Sequence, residues 1–462
     1  MASLLFLDAA AGHSDPVVPV LLALVFFTFG AAVGGRLMVW MKQPAVLGEL
    51  LVGLLAGNLG HKLGSPGLTV LREGDSLRRI SDIALSTSTS VVQAVHQVLP
   101  PAEAARVAAA LSGPHSLDYI SVYNFVDFLS RIAILILLFL VGLETSLAEM
   151  RRVGKTALFV AIIGIVVPMS LGMFTMKLVR PDSALASDLF IGGILTATSV
   201  GITARVLRDL GQENRDESRV ILGAAVIDDV LSLIVLAVVS GLAVTGTVSL
   251  FEIGRITFIA AIFLVAAMGI GIWLTPKVVR KLSGAGIHNL KLLFGLQFAF
   301  LLAWFANLAG LATIVGAFAA GMILNNFFDA ELEGETLQKI LSPVESLVVP
   351  LFFVWMGIQV KLEALGSRDV LISGLALTAV AILGKLVSGY GCPPSMNRWA
   401  VGIGMMPRGE VGLIFAGIGK SIGVIDDGLF SAIVVLVMIT TLLAPVLLRV
   451  TLGQGTPSVA TD

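Results

Sequence analysis

The chain has 462 residues, of which 56% are hydrophobic and 13% charged, and its mean hydropathy is +0.97. Soluble domains carry about 25% charged residues, so a water-soluble fold is excluded and the apolar runs that recur from Pro16 to Val450 read as one membrane body, residues 1–462. A formal net charge of -1 without basic clusters argues against nucleic acid as a partner and leaves membrane lipid as the surrounding medium.

The first fifteen residues hold Asp8 and Asp15 but no Lys or Arg, so they lack the basic region of a cleavable signal peptide and the first apolar run is expected to stay as a mature helix. A spanning helix needs about 20 mostly apolar residues, and about thirteen such runs are found. They centre near residues 27, 53, 136, 166, 198, 230, 266, 300, 318, 350, 379, 408 and 438. Between the second and third lies a hydrophilic insert, 63–123, expected to be a solvated extracytoplasmic segment with short surface helices. One of these helices should begin at Pro100, Pro101, Ala102 and Glu103.

On the third span Asp127 and Arg131 are four residues apart and should satisfy each other. Glu49 and Glu144 lie near helix ends and are expected at the interface. The fifth span is interrupted by the polar run Thr196 to Thr203, which offers the hydroxyls of Thr198 and Ser199. The sixth carries Asp228 and Asp229 within Gly223, Ala224, Ala225, Val226, Ile227 and then Val230, Leu231. An ionised carboxylate at the bilayer centre costs about 2.5 to 3.5 kcal/mol even on a lenient scale, so two in a row demand a reason, either an ion site or neutralisation of basic residues in a packed bundle. Neighbours on a helix point about 100° apart, so the two acids should have different partners.

The eighth and ninth runs are divided only by the turn offered by Asn307 to Leu311. On the eleventh, Lys385 stands deep among Ile382, Leu383, Leu386 and Val387. The twelfth is broken at Pro407, which removes a backbone donor and frees upstream carbonyls. Arg408 and Glu410 follow directly, either as an internal pair that plugs the break or as ion contacts. His13, His61, His96, His115 and His288 all lie outside the confident part of the spans, and Cys392 reads as an ordinary loop residue.

Lys and Arg concentrate on one side, among them Arg36, Arg151, Arg152, Lys155, Lys277, Arg280, Lys281 and Arg398. The other side has few, such as Lys177, Arg180, Lys361 and Lys420. Retention of basic loops in the cytoplasm then sets the N-terminus outside and the C-terminus inside. Six helices, a connector and six more make two halves of opposite orientation, with the fifth and twelfth helices in matching places, and matching interrupted helices mark a transport site.

Seven segments carry a family likeness: QPAVLGELLVGLLAGN at Gln43, FLVGLETSL at Phe139, TATSVGITARVL at Thr196, GAAVIDDVLSLIVL at Gly223, IVGAFAAGMIL at Ile314, PLFFVWMGIQV at Pro350 and MMPRGEVGLI at Met405. Through them the chain resembles the bacterial monovalent cation/proton antiporters of the second superfamily, especially the electrogenic Na+/H+ type with adjacent aspartates and a membrane lysine. The resemblance implies an all-α polytopic fold with an inverted-topology repeat and two crossing broken helices. It implies a core ion-transport domain over 154–245 and 368–450, with dimerisation or scaffold helices over 16–62, 125–150 and 254–360. It further implies a homodimer in the bacterial inner membrane. The expected activity is secondary exchange of Na+ or Li+ for H+ by an elevator-like movement, with no enzymatic step and no cofactor. Asp229 looks like the ion-binding aspartate, Asp228 like the lysine-paired one and Lys385 like that lysine. Thr198, Ser199, Arg408 and Glu410 look like the polar residues of the crossing. Potassium/proton exchange or a glutathione-gated type of potassium efflux is the alternative; the latter usually lacks the first aspartate of the pair and carries a nucleotide-binding domain, which the matched segments do not include.

Overall fold

The computed structural model describes residues 17–41, 43–87, 89–144, 154–210, 212, 215–245, 250–283, 290–325 and 335–452. Among these the secondary structure is helical, and nine helices are long and apolar enough to cross a membrane. Every predicted span centre coincides with a helix or with a break between two half-helices. Two compact units result, 1–134 with 344–365 and 135–343 with 366–462.

The first unit contains α1 (Val17–Trp40), α2 (Ala45–Lys62), four short helices of the insert, most of α7 (Ser116–Glu144) and part of α15 (Leu337–Ile358). Apolar attraction is weak between helices already surrounded by lipid, so association relies on small residues that let backbones approach. Gly34 and Gly48 do this for α1 and α2: a Cβ on Gly48 would stand 2.0 Å from the Gly34 carbonyl oxygen. Gly53 and Gly57 do the same against Val354 and Ile358 of α15.

The insert forms α3 (Pro66–Arg72), α4 (Asp75–Thr87), α5 (Val91–Val98) and α6 (Pro101–Leu111). Pro101 opens α6, as its fixed φ and missing donor favour. Ser90 caps α5 reciprocally with Gln93. The expectation of a merely solvated segment is corrected, because Val70, Ala94, Val95, Ala104 and Val107 are completely buried in one apolar cluster with Phe27, Ala31 and Trp355. Charge fixes the same region. The buried Lys361 Nζ lies 2.9 Å from Glu73 and 3.0 Å from Glu103, while buried Arg72 donates to Asn58 at 3.0 Å and pairs with Glu363. Burial pushes the Glu363 carboxyl up, but the Arg72 hydrogen bond and charge and a backbone N–H outweigh it and hold the group below the usual glutamate value.

The second unit runs through α8 (Gly154–Val179), α9 (Leu185–Ile194), α10 (Val200–Asp209) and α11 (Asp216–Thr245). Next come α12 (Leu250–Ser283), α13 (Leu290–Leu308) and α14 (Thr313–Asn325). The turn predicted between α13 and α14 is present, with Gly310 at φ +76°, a conformation that glycine alone adopts freely. Last are α16 (Arg368–Ser388), α17 (Arg398–Gly404), α18 (Glu410–Ser421) and α19 (Asp427–Leu452). The order helix, broken helix, helix thus occurs twice, as α8, α9/α10, α11 and as α16, α17/α18, α19. This is the inverted-repeat arrangement with two crossing broken helices.

Some smaller expectations are met and others shift. Asp127 accepts from Arg131 at 2.8 and 3.2 Å. Glu49 stands near the start of α2 but is only 8% exposed. Cys392 does lie in a connector, yet it is buried against Ala157, Val160, Ile221 and Val401 and is not an ordinary loop residue. His13, His288 and the Glu144 side chain lie outside the described residues.

Candidate functional site

Both helix breaks leave backbone groups without intrahelical partners in a region where water cannot supply them, and each break satisfies the other. The Ser199 amide donates to the Pro407 carbonyl at 2.9 Å. The Thr203 hydroxyl donates to the Gly404 carbonyl at 2.8 Å and the Thr198 hydroxyl to the Met405 carbonyl at 3.3 Å. Arg408 Nη1 returns a bond to the Ala197 carbonyl, and Thr441 on α19 donates to the carbonyl of Arg408. Gly409 makes the crossing close enough: a Cβ there would meet Ser199 Oγ at 2.7 Å. Pro407 is thus one cause of the second break, but the first has no proline. It is held open by these long-range bonds and by Thr196, whose hydroxyl donates to the Gly193 carbonyl at 2.7 Å.

Beside the crossing, α11 presents both aspartates. Asp228 is completely buried, and Lys385 Nζ of α16, also completely buried, lies 3.2 and 3.4 Å from its two oxygens. Thr198 stands close enough to Asp228 to influence its carboxylate, so the first break reaches the acid. Asp229 is 6% exposed and close enough to feel the charge of Lys385. Charges taken out of water need close partners, and Lys385 supplies one for Asp228. Arg408 is 1% exposed, and its Nε and Nη2 have no hydrogen-bond partner among the described residues, an uncommon state for a buried guanidinium. Its positive charge acts on Asp228.

The residues singled out from the sequence are therefore brought together as far as they are described: Thr198, Ser199, Asp228, Lys385 and Arg408 interact in one region, with Asp229 beside them. Glu410 begins α18 at the second break, and its side chain lies outside the described residues. Among the described residues no group of three or more His, Cys, Asp or Glu could hold a resident metal.

Three further residues belong to the site. Gly164 on α8 makes room for the lysine, since a Cβ there would stand 3.3 Å from Lys385 Nζ. Ser232, one helical turn after Asp228, meets the Thr196 hydroxyl at 3.2 Å. Thr441 closes the second break. The i, i+4 spacing from Asp228 could have drawn attention to Ser232; no local signal marks Gly164.

The architecture matches a solved sodium proton antiporter, MjNhaP1 from Methanocaldococcus jannaschii at pH 8, with a TM-score of 0.61 at 17% identity over 95% of this chain and 99% of that one. The high-affinity Na(+)/H(+) antiporter NhaS3 of Synechocystis sp. is 36% identical, with 93% of this chain and 89% of the relative covered. The Na(+)/H(+)-K(+) antiporter GerN of Bacillus cereus is 33% identical over 81% of this chain and 96% of its own length. The family model described as "Sodium/hydrogen exchanger, transmembrane" matches residues 22–453. The chain is therefore a multi-pass secondary transporter that belongs to the sodium/hydrogen exchanger family.

Proposed function

We propose that this protein exchanges Na+, or Li+, for H+ electrogenically, with Asp229 as the cation-binding carboxylate and the Asp228–Lys385 pair as the proton-coupled element. The observation that carries this reading is the ion pair of Asp228 and Lys385, without solvent exposure, directly beside Asp229 and the two breaks. Na+ is a hard cation and takes oxygen ligands as other hard cations do; carboxylate and hydroxyl oxygens are what this region offers. A proton and Na+ compete for Asp229. Cation entry that draws Asp228 away from Lys385 leaves the lysine amine without its counter-charge in a dry site, which favours loss of its proton. Two protons in one direction against one Na+ in the other move one net positive charge.

Alternating access follows from an elevator-like movement of the core, 154–245 and 368–450, against scaffold helices drawn from 16–62, 125–150 and 254–360. The two states differ in which side reaches the acids. The basic-loop count supports an outside N-terminus and a cytoplasmic C-terminus in a bacterial inner membrane, with the 63–123 insert extracytoplasmic. A homodimer is the expected assembly. Potassium/proton exchange is retained as a second reading because GerN, 33% identical, is named as a Na(+)/H(+)-K(+) antiporter.

The test uses proteoliposomes with an imposed pH gradient and an entrapped pH dye. Na+ or Li+ should dissipate the gradient, an imposed membrane potential should change the rate, and Asp229→Asn should abolish the response. Activity retained by Asp229→Asn would sink the site assignment, and a rate indifferent to potential would sink the two-proton scheme. A response to K+ alone would favour the second reading.

A further inference from the structure

The connector between α16 and α17 shapes a surface groove of about 480 Å3, built on the helix that carries Lys385 and on the first turn of the half-helix that leads into the second break. One wall is apolar and belongs to the last turns of a spanning helix: Leu383 is 56% exposed and Val387 38%, with Leu386 between them. The other wall is aromatic, from Tyr390 (62% exposed) and Trp399 (60% exposed). Large exposed rings at the end of a membrane helix are the mark of the headgroup region, where one edge of the ring is apolar and the other wet.

Arg398 stands at the polar end of this groove. Its Nε donates to the Cys392 carbonyl at 3.1 Å, and its guanidinium lies 5.3 Å from the centre of the Tyr390 ring. These two contacts fix the plane of the group. Among the described residues no carboxylate pairs with it. Glu217, the acid close by, accepts from the Asn397 amide at 3.2 Å and lies 3.6 Å from Arg215. A held guanidinium whose outer nitrogens make no hydrogen bond among the described residues matches the geometry of a phosphate, which it can grip with two parallel hydrogen bonds. In the chain Arg398 is one dispersed basic residue of its side and belongs to no cluster.

We infer that this groove is a binding site for an anionic phospholipid, with the headgroup phosphate on Arg398, the glycerol region against Tyr390 and Trp399, and an acyl chain along Leu383, Leu386 and Val387. The charge complementarity of one fixed cation with one phosphate, and the continuity of the apolar wall with a spanning helix, select a lipid over a soluble anion. A bound lipid would brace the end of α16, three residues from Lys385, where the short helical turn Gly389–Gly391 packs so closely that a Cβ on Gly389 would lie 2.0 Å from the Arg398 carbonyl oxygen.

Two measurements on the full-length, detergent-purified protein test this. Native mass spectrometry after delipidation should show that phosphatidylglycerol is retained at least threefold over phosphatidylcholine, that Arg398→Gln removes this preference and that Arg398→Lys keeps part of it. Phosphatidylglycerol with brominated acyl chains should quench the fluorescence of Trp399, isolated from the other four tryptophans as the difference between wild type and Trp399→Phe. Should Arg398→Gln not fold, the quenching comparison decides. An unchanged phosphatidylglycerol preference in Arg398→Gln, or absence of Trp399 quenching, overturns the site. Relief of quenching by inorganic phosphate at the concentration of the lipid would assign the groove to a soluble anion. Dissociation of a dimer by Arg398→Gln with lipid content unchanged would assign it to a second copy of the chain. Either outcome overturns the lipid reading without touching the exchange activity proposed above.

Discussion

Lys385 and Asp228 illustrate how strongly a single side chain can matter when both partners are dry. Removing one leaves the other charged and buried, which costs about 3 to 5 kcal/mol in measured cases, whereas removing both costs far less. Lys385→Ala should therefore lower the detergent melting temperature markedly, and Asp228→Asn added to it should restore most of the loss. If the double variant is no more stable than the single one, the pair does not act as a unit. Gly164→Ala is a gentler probe. Its new methyl would meet only the flexible tip of Lys385 and Ser388 Cβ at 3.4 Å, so we expect near-normal stability but altered exchange rates in the proteoliposome assay. Asp228, Asp229 and Lys385 were legible because ionisable groups inside apolar runs are anomalous on their own. Gly164 and Thr441 were not, because their importance comes from what lies across the bundle and not from their neighbours in the chain.

Among the elements, packing depends on backbone contact at glycines. On α14, a Cβ at Gly321 would lie 2.1 Å from the Phe139 carbonyl oxygen of α7, and one at Gly142 would lie 2.2 Å from the Phe318 carbonyl oxygen. Rigid backbone cannot yield as a side-chain tip can, and overpacking typically costs about 1 to 3 kcal/mol. Gly321→Val should lower the melting temperature by several degrees. Gly254→Ala on α12, where nothing lies within 4 Å of the new methyl, should leave it unchanged or raise it, since alanine favours helix by about 1 kcal/mol. Equal effects in both would show that close approach is not what these glycines provide. Span positions were readable from apolar run length, and the second break from Pro407. The inner packing of the insert was not, because α3 to α6 are too short for periodicity to distinguish a buried face from a wet one.

For the molecule as a whole, ion pairs of the first unit join the insert to residues almost 300 positions later, through buried Arg72 to half-exposed Glu363 and through the buried pair Glu73 and Lys361. Because the folded-state value of Glu363 is depressed, its stabilising contribution is complete above the ordinary glutamate value of about 4.3 and disappears as pH falls through the lowered one. Amide protection of α3, measured by hydrogen exchange and corrected for intrinsic rates, should fall as pH drops below about 4.3, and this dependence should vanish in Glu363→Gln. A pH-independent α3 in the native protein would show that Glu363 does not hold the insert. The second unit has its own long-range ties: Arg180 to Asp426 at 2.5 Å near one end of the repeats, and the Asn397 side chain to the Thr451 carbonyl at 3.1 Å near the other. The crossing adds bonds between residues 201 to 211 positions apart, from Thr203 to Gly404, Thr198 to Met405 and Arg408 to Ala197. A ribosome has therefore delivered Asp228 into the bilayer long before it makes the lysine and the second break that the acid requires. The lysine follows Asp228 by 157 residues and the second break comes only after it, so until both have emerged the nascent protein carries an unneutralised carboxylate beside an open backbone. Insertion chaperones and membrane proteases would recognise such a form, so the last half-helices to be synthesised decide whether the earlier ones survive.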